Sequence, residues 1–228
     1  MCGRTSLFVT QDDLEDRFDV RVVADGGYHP RFNIAPGEPL EIITNEEPEA
    51  IDRYTWGLVP HWADDPSDGF INARSETAHE KSAFRDAWTS RPCLVLSSGF
   101  YEWQAANRGP KQPYRVYRED DVAFAMAGLW EEWDGDNGKT LRTVTILTTE
   151  PNDVVEPIHD RMPVVLPREE EETWLAAGPS GREELCQPYP DDDLDAYPIS
   201  TLVNDPDNDD ARVIEPAEDE QSDLGRFA

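Results

Sequence analysis

The feature that most constrains the fold is a series of short apolar runs, each of strand length and each bounded by turn residues. They cover residues 40–44, 51–60, 93–103, 114–118, 122–130 and 142–149. The sequence DGDNGK, at 134–139, separates the last two runs and has the composition of a hairpin turn. Because the runs do not alternate with long helical patterns, a parallel βαβ sheet is excluded. We therefore predict an α+β protein with many strands and a few peripheral helices.

Helical signals are few and short. Capping residues, acidic first turns and apolar residues at helical spacing predict helices over 10–18, 79–88 and 168–176. Residues 197–204 predict a late strand, whereas the proline and glycine that end the segment 31–37 predict irregular structure there.

No internal repeat and no linker of different composition divides the chain. A length of 228 residues suits one domain with a sizeable core. We predict a single domain over residues 1–216 and an acidic, disordered tail at 217–228, where core-forming residues are almost absent.

The charge of the chain is strongly negative, with 49 acidic and 20 basic residues and a net charge of −29. Only three of the basic residues are lysine. An aromatic content of 10% and the regular apolar runs argue against a disordered acidic chain. The composition is typical of globular proteins adapted to molar salt, so we expect a halophile. At such ionic strength the negative charge does not exclude nucleic acid as a partner.

Cysteine usage and hydropathy exclude several classes. The three cysteines are widely spaced, with no CxxC pair, so neither a disulfide framework nor a metal site is expected. No apolar run approaches the roughly 18–20 residues that span a bilayer, and no signal peptide is evident. We expect a cytoplasmic protein without a metal or other cofactor.

Four stretches place polar residues in apolar or turn contexts: MCGR at the start, INARSET at 71–77, SSGFYEW at 97–103 and IHDRMPVVL at 158–166. Glu102 lies between two aromatic residues, where desolvation would raise its pKa toward the range of a general acid or base. It could equally be an exposed glutamate at a strand edge. His159 is another candidate, although a lone histidine is more often structural.

Asn72, Arg74 and Glu76 share one face if the segment is extended. Asn72 could orient a reacting group by hydrogen bonds, and Arg74 could hold a phosphate with both terminal nitrogens. Arg161 could also anchor an anion. A polar loop with a salt bridge is the alternative for this segment.

Together these stretches, in this order, resemble the SOS response-associated peptidase (SRAP) family, the proteins that shield abasic sites. The resemblance runs from residue 2 to about residue 216 and includes RFNIAPG, WGLVPHW and KQPY. It implies a single SRAP-type domain of mainly antiparallel strands in a barrel-like core. One departure is Gln104, which stands where many relatives have a basic residue, and this puts one possible DNA contact in doubt.

The resemblance implies that Met1 is removed and that Cys2 then presents an α-amine and a thiol to an abasic site in single-stranded DNA. An α-amine has a pKa of about 7.7–8.0, so a large fraction is unprotonated at neutral pH and can attack the sugar aldehyde. The neighbouring thiol then closes a thiazolidine ring, which a lysine could not do. Strand cleavage of the lyase type and peptidase-like self-processing at Met1–Cys2 are implied as further activities.

The resemblance also assigns roles to residues. The expected catalytic residues are Cys2, Glu102, His159 and Asn72. The expected DNA contacts are the phosphate-binding arginines and a set of apolar residues that stack on bases or wedge the strand, namely Arg4, Arg74, Arg161, Trp56, Pro60, Trp62 and Trp103. For the tryptophans a core position is an equally open alternative. The partner is single-stranded DNA with abasic sites, the protein is expected to be a monomer near the nucleoid during repair, and no membrane is involved.

Two other functions remain open from the sequence. An N-terminal nucleophile amidotransferase also begins Met-Cys-Gly, although its further Arg-x-x-Thr-His-Gly motif is not found here. An acidic interaction module without chemistry would leave Cys2, Asn72, Glu102 and His159 unexplained.

Overall fold

The computed structural model describes residues 2–105, 109–120, 122–135, 138–190 and 193–217. Within them lies an α+β domain, which confirms the predicted fold class. The acidic tail predicted at 217–228 lies, apart from its first residue, outside the described residues.

The strands are β1 (Thr5–Leu7), β2 (Arg21–Val22), β3 (Arg31–Ile34), β4 (Pro39–Thr44), β5 (Ala50–Trp56), β6 (Asn72–Arg74), β7 (Pro92–Ser97), β8 (Gly99–Gln104), β9 (Gln112–Arg118), β10 (Phe124–Asp134), β11 (Thr140–Thr149), β12 (Met162–Pro163), β13 (Val165–Leu166) and β14 (Leu194–Pro198). The α-helices are α1 (Gln11–Phe18), α2 (Ser75–Ala78), α3 (Arg85–Ser90), α4 (Glu171–Ala176) and α5 (Pro179–Leu185). Short 3₁₀ turns cover Pro66–Asp68, Arg168–Glu170, Thr201–Asn204 and Ala211–Ile214.

Strands β4, β5, β7, β10 and β11 close into a barrel. Adjacent strands pair antiparallel around it, except that β11 meets β5 in parallel, with Val144 opposite Trp56. The predicted hairpin joins β10 to β11, and its last pair is Asp134 with Thr140. Packing inside is tight at Gly128, where an added Cβ would lie 2.8 Å from a Val95 methyl group. The barrel therefore forms the core that the apolar runs predicted.

A second, antiparallel sheet lies beside the barrel in the order β14, β9, β8, β1, β3. The predicted single strand over 93–103 is wrong, because it divides into β7 in the barrel and β8 in the second sheet. The chain changes sheets at Gly99, whose φ of 152° is unfavourable for other residues. Glu102 therefore lies in the second sheet, although the apolar run that leads to it lies in the barrel.

Strand β3 corrects a second prediction, since the segment 31–37 was expected to be irregular. β3 pairs with β1, and its outer edge is covered by the Asp209 carboxylate, which accepts hydrogen bonds from the amides of Phe32 and Asn33 at 2.6 and 2.9 Å. Capping of this edge by a side chain far along the sequence is invisible to local patterns.

Helices form a thin layer around the strands. The Thr10 hydroxyl accepts from the Asp13 amide at 3.2 Å and caps α1, as predicted. The helix predicted over 79–88 is displaced and shortened to α3, and the strand predicted over 197–204 is β14 followed by a 3₁₀ turn. Among the described residues, no helix is long and apolar enough to cross a membrane.

Candidate active site at the amino terminus

Cys2 lies beside strand β8. The Tyr101 amide donates to the Arg4 carbonyl at 3.0 Å, which continues the β1–β8 pairing and leads the chain start toward Glu102. Cys2 is fully buried, and its carbonyl accepts a hydrogen bond from Asn72 Nδ2 at 2.7 Å. Burial, and then the nearby Glu102 carboxylate, raise the pKa of the Cys2 thiol. The first residues are thus fixed in the protein, although chain ends are usually frayed.

Asn72 is held by the pairing of β6 with β11, where it lies opposite Ile146. Its Nδ2 donates the hydrogen bond to the Cys2 carbonyl. Its Oδ1 is buried and has no hydrogen-bond partner among the described residues. A buried acceptor without a donor is unfavourable, so this oxygen is available to a donor on a bound group.

Glu102 is 2% exposed, so the alternative of an exposed strand-edge glutamate is wrong. Burial raises its pKa to about 7, and the charge of Asp160 acts in the same direction. At this value the carboxyl group can both accept and release a proton near neutral pH. The nearest nitrogen of His159, Nε2, lies 3.9 Å from Glu102 Oε2.

His159 ends a turn that is anchored to the sheet. Gln104 Nε2 donates to the Pro157 carbonyl at 2.8 Å, which joins the end of β8 to this turn. The Arg161 amide donates to His159 Nδ1 at 3.1 Å, and Asp160 Oδ1 lies 3.0 Å from the same nitrogen. Partial burial lowers the pKa of His159. The structure therefore brings together Cys2, Asn72, Glu102 and His159, which are far apart in the sequence.

The three predicted phosphate-binding arginines differ in their surroundings. Arg74 is exposed, and its side chain makes no hydrogen bond or ion pair among the described residues. Arg4 Nη1 donates to Asn33 Oδ1 and to the Val203 carbonyl, both at 2.7 Å. Arg74 is thus the arginine of this set that is best placed to receive a phosphate.

Arg161 is 8% exposed and is held by protein acceptors. Its terminal nitrogens donate to both carboxylate oxygens of Glu76, at 2.5 and 2.9 Å, and to the Thr148 carbonyl at 2.5 Å. A phosphate could bind only by displacing Glu76. The structure therefore gives Arg161 an internal contact in place of the predicted phosphate contact.

The residues predicted to stack on bases also differ in their exposure. Trp56 is 1% exposed and its Nε1 donates to the Ile71 carbonyl at 2.8 Å, so the prediction that it contacts bases is wrong. Pro60 is buried. Trp103 is half-buried, and its Nε1 donates a hydrogen bond to Asn204 Oδ1 at 2.8 Å. Trp62 is 55% exposed and remains a candidate for stacking.

Two hollows were found on the surface. One of about 540 Å³ is lined by Pro60, Trp62 and Phe70 together with the acidic residues Asp64 and Asp65. A larger one, of about 940 Å³, lies between α1 and α4 and is lined by none of the predicted site residues. The predicted catalytic residues line neither hollow.

Comparisons with known proteins identify the family and the fold. The sequence model of the SOS response associated peptidase (SRAP) family matches residues 1–206. The chain belongs to the SRAP family. Its SRAP relatives include the abasic site processing protein YoqW of Bacillus subtilis, which is 41% identical over 94% of this chain and 99% of its own length. YedK of Escherichia coli, which has the same descriptive name, is 29% identical over 95% of this chain and 100% of its own.

The SRAP fold is also found in a crystal structure of a protein from Bacteroides thetaiotaomicron. It matches with a TM-score of 0.86 and 27% identity, covering 95% of this chain and 100% of that chain. The names of the relatives favour a DNA-processing activity over the amidotransferase and the acidic interaction module.

Two residues of this SRAP site were missed from the sequence. Asn33 is fully buried and holds Arg4, and the asparagine within the otherwise apolar RFNI segment was a signal for it. Thr148 accepts from Arg161, but it lies in an apolar run and gave no signal.

Proposed function

We propose that this protein recognises abasic sites in single-stranded DNA and captures them covalently through Cys2, after Met1 has been removed. The observation that carries the proposal is the position of Cys2, fixed by Asn72 next to a buried carboxyl group, Glu102, with a pKa of about 7. The names of the SRAP relatives, which are abasic site processing proteins, support the DNA substrate.

The chemistry follows from the two nucleophiles of Cys2. Ionised Glu102 takes a proton from the α-ammonium group, and the neutral amine adds to the aldehyde carbon of the open-chain sugar. Glu102 returns the proton to the hydroxyl group, which leaves as water and gives an imine. The thiol then adds to the imine carbon while its proton passes to nitrogen, and this closes a thiazolidine.

Neighbouring residues complete the site. His159 donates to the sugar ring oxygen and so favours the open-chain aldehyde, and Asn72 Oδ1 accepts a hydrogen bond from the bound adduct. Arg74 holds a flanking phosphate with two parallel hydrogen bonds, and Trp62 stacks on a base. At the imine stage, loss of a proton from the carbon next to the imine carbon expels the 3′ phosphate by breaking its C–O bond and so cleaves the strand, which accounts for lyase activity. Removal of Met1 is the peptidase-like step of self-processing.

The test is incubation with a single-stranded oligonucleotide that contains one abasic site, followed by denaturing electrophoresis and intact mass. We expect a stable adduct whose mass is that of the chain without Met1 plus the oligonucleotide, less one water. Cys2→Ala and Cys2→Ser both abolish the stable adduct, because they keep the α-amine but lose the thiol, and each gives a product only when borohydride reduces the imine. Cys93→Ala, which removes a thiol buried in the barrel, leaves the yield unchanged. Equal capture by a protein that retains Met1 would refute the α-amine as nucleophile.

A further inference from the structure

We propose that Glu76 is a positioning residue which, through Arg161, fixes the neutral form of His159 with its proton on Nε2, facing Glu102. The geometric part of this proposal stands on contacts within the protein. Its consequence for DNA capture rests on the proposed function.

Glu76 and Arg161 tie two parts of the site together. Glu76 lies in α2, directly after the strand that carries Asn72, whereas Arg161 follows His159 by two residues. The two carboxylate oxygens of Glu76 accept from the two terminal nitrogens of Arg161, and one of these nitrogens also reaches the Thr148 carbonyl of β11. This charge-assisted pair lowers the pKa of Glu76, so the tie persists at neutral pH. Together with the pairing of Met162 with Thr149, this tie fixes the backbone at residue 161 relative to β6 and β11.

The position of the backbone at residue 161 determines which group contacts Nδ1 of His159. The Arg161 amide points at Nδ1 from 3.1 Å, and this N–H can bond only to a nitrogen that carries no proton. The neutral ring then has its proton on Nε2, which lies 3.9 Å from Glu102 Oε2.

Asp160 is the competitor for the same nitrogen. Its carboxylate lies 3.0 Å from Nδ1 and can accept from it only when Nδ1 is protonated. The Asp160 side chain is 84% exposed, so water weakens this contact, whereas the Arg161 amide is held by a buried side chain. In the neutral ring the Arg161 amide prevails, and the Asp160 contact forms when the ring takes up a second proton.

This arrangement divides the roles of the two titratable groups. A neutral His159 presents a hydrogen-bond donor to the sugar and leaves Glu102 as the proton acceptor. Besides partial burial, the positive charges of the amino terminus and of Lys111 lower the pKa of the ring, and the negative charge of Asp160 raises it. If Nδ1 held the proton instead, Nε2 would be a second acceptor and could not donate to the ring oxygen.

The test uses protein labelled with ¹⁵N at its four histidines and needs no DNA. Ring nitrogen shifts and couplings are recorded at a pH where the ring is neutral, and His159→Gln assigns the signal. We expect the Nε2–H form in the wild type and a mixture with the Nδ1–H form in Glu76→Gln. Glu76→Asp, which keeps the carboxylate, restores most of the Nε2–H form.

The matched control is Glu171→Gln, which breaks a second carboxylate–arginine pair with two hydrogen bonds, Arg17–Glu171, away from the site; both side chains of that pair are buried, whereas the Glu76 side chain is 46% exposed. This variant should leave the His159 signal unchanged even if it lowers stability. An Nδ1–H wild-type ring overturns the proposal whatever the variants do, and so does a folded Glu76→Gln with the wild-type ring. Capture assays on the same proteins separate the two hypotheses: absence of any adduct in the wild type refutes the proposed function but leaves the tautomer result standing.

Discussion

Replacing Glu102 by glutamine should make the protein more stable and less active at the same time. The substitution keeps the shape of a buried side chain that is 2% exposed but removes its ionisation. Both effects follow from the rise of the Glu102 pKa that burial causes.

The stability effect has a definite sign and size. In the folded protein the Glu102 pKa is raised from 4.5 to about 7, so the native state binds this proton more tightly than the unfolded chain does. The stabilisation that protonated Glu102 contributes is complete below about pH 4.5 and is lost as the pH rises to about 7. At 1.36 kcal/mol per pKa unit, the ionised carboxylate costs about 3 kcal/mol above pH 7. Glutamine, which resembles the protonated form, removes this cost.

The same substitution should lower the rate of DNA capture, although it raises the stability of the protein. In the wild type, ionised Glu102 takes the proton from the Cys2 amine, so the acid limb of the rate profile should lie near pH 7. In Glu102→Gln the amine must lose its proton to water, and the limb moves to about 7.7–8.0. The rate should also fall by ~10²–10⁴-fold, as is typical of a general acid or base.

The assays are denaturant unfolding and single-turnover capture, both measured between pH 5 and pH 9 at one fixed KCl concentration. Glu119→Gln, at the exposed end of β9, is the control and should match the wild type in both. A Glu102→Gln protein that is no more stable than the wild type at pH 8 would show that burial does not hold the pKa high. An unchanged rate profile would remove Glu102 from the mechanism.

Further predictions concern the DNA contacts, the barrel and the charge. Arg74→Lys should weaken binding of abasic DNA by about tenfold, because a point charge replaces a bidentate fork, and Arg85→Lys should have no effect; fluorescence anisotropy measures both. Trp62→Ala should cost ~1–3 kcal/mol of binding free energy in the same assay if one base stacks on it, and no change would exclude stacking. Gly128→Ala should lower the free energy of unfolding by ~1–3 kcal/mol, because its new methyl group meets Val95 and neighbouring atoms; unchanged unfolding would show that the barrel can adjust. Adduct yield should persist or rise between low and molar KCl while circular dichroism follows folding, and a monotonic fall for a folded protein would count against salt adaptation.

Local signals predicted those elements whose structure is decided locally. The cap of α1 depends on Thr10 and Asp13, which are three residues apart. The apolar runs predicted the barrel strands because the apolar side chains of each run themselves form the core of the barrel. The site was found for a different reason: Cys2, Asn72, Glu102 and His159 occur in motifs that only a family comparison links.

The errors concern features that distant residues decide. Strand β3 is stabilised at its edge by Asp209, which is 177 residues beyond Phe32. Arg161 was expected to bind phosphate, but its partner Glu76 lies 85 residues earlier in the chain. Whether a tryptophan such as Trp56 is buried depends on the closure of the barrel through the parallel β5–β11 pair, which no periodicity reveals.

The negative charge and a DNA substrate are compatible because the basic residues are not used alike. Most arginines of the described residues have carboxylate partners within the protein, for example Arg17, Arg21, Arg31, Arg53, Arg91, Arg118, Arg142 and Arg161. Arg74 has none and lies two residues after Asn72. Because each phosphate contact to a single strand contributes only about −0.7 to the slope of log affinity against log salt, a site with few free cations loses little affinity as salt rises. In the proposed mechanism, covalent capture then supplies the stability that a large basic surface supplies in ordinary DNA-binding proteins.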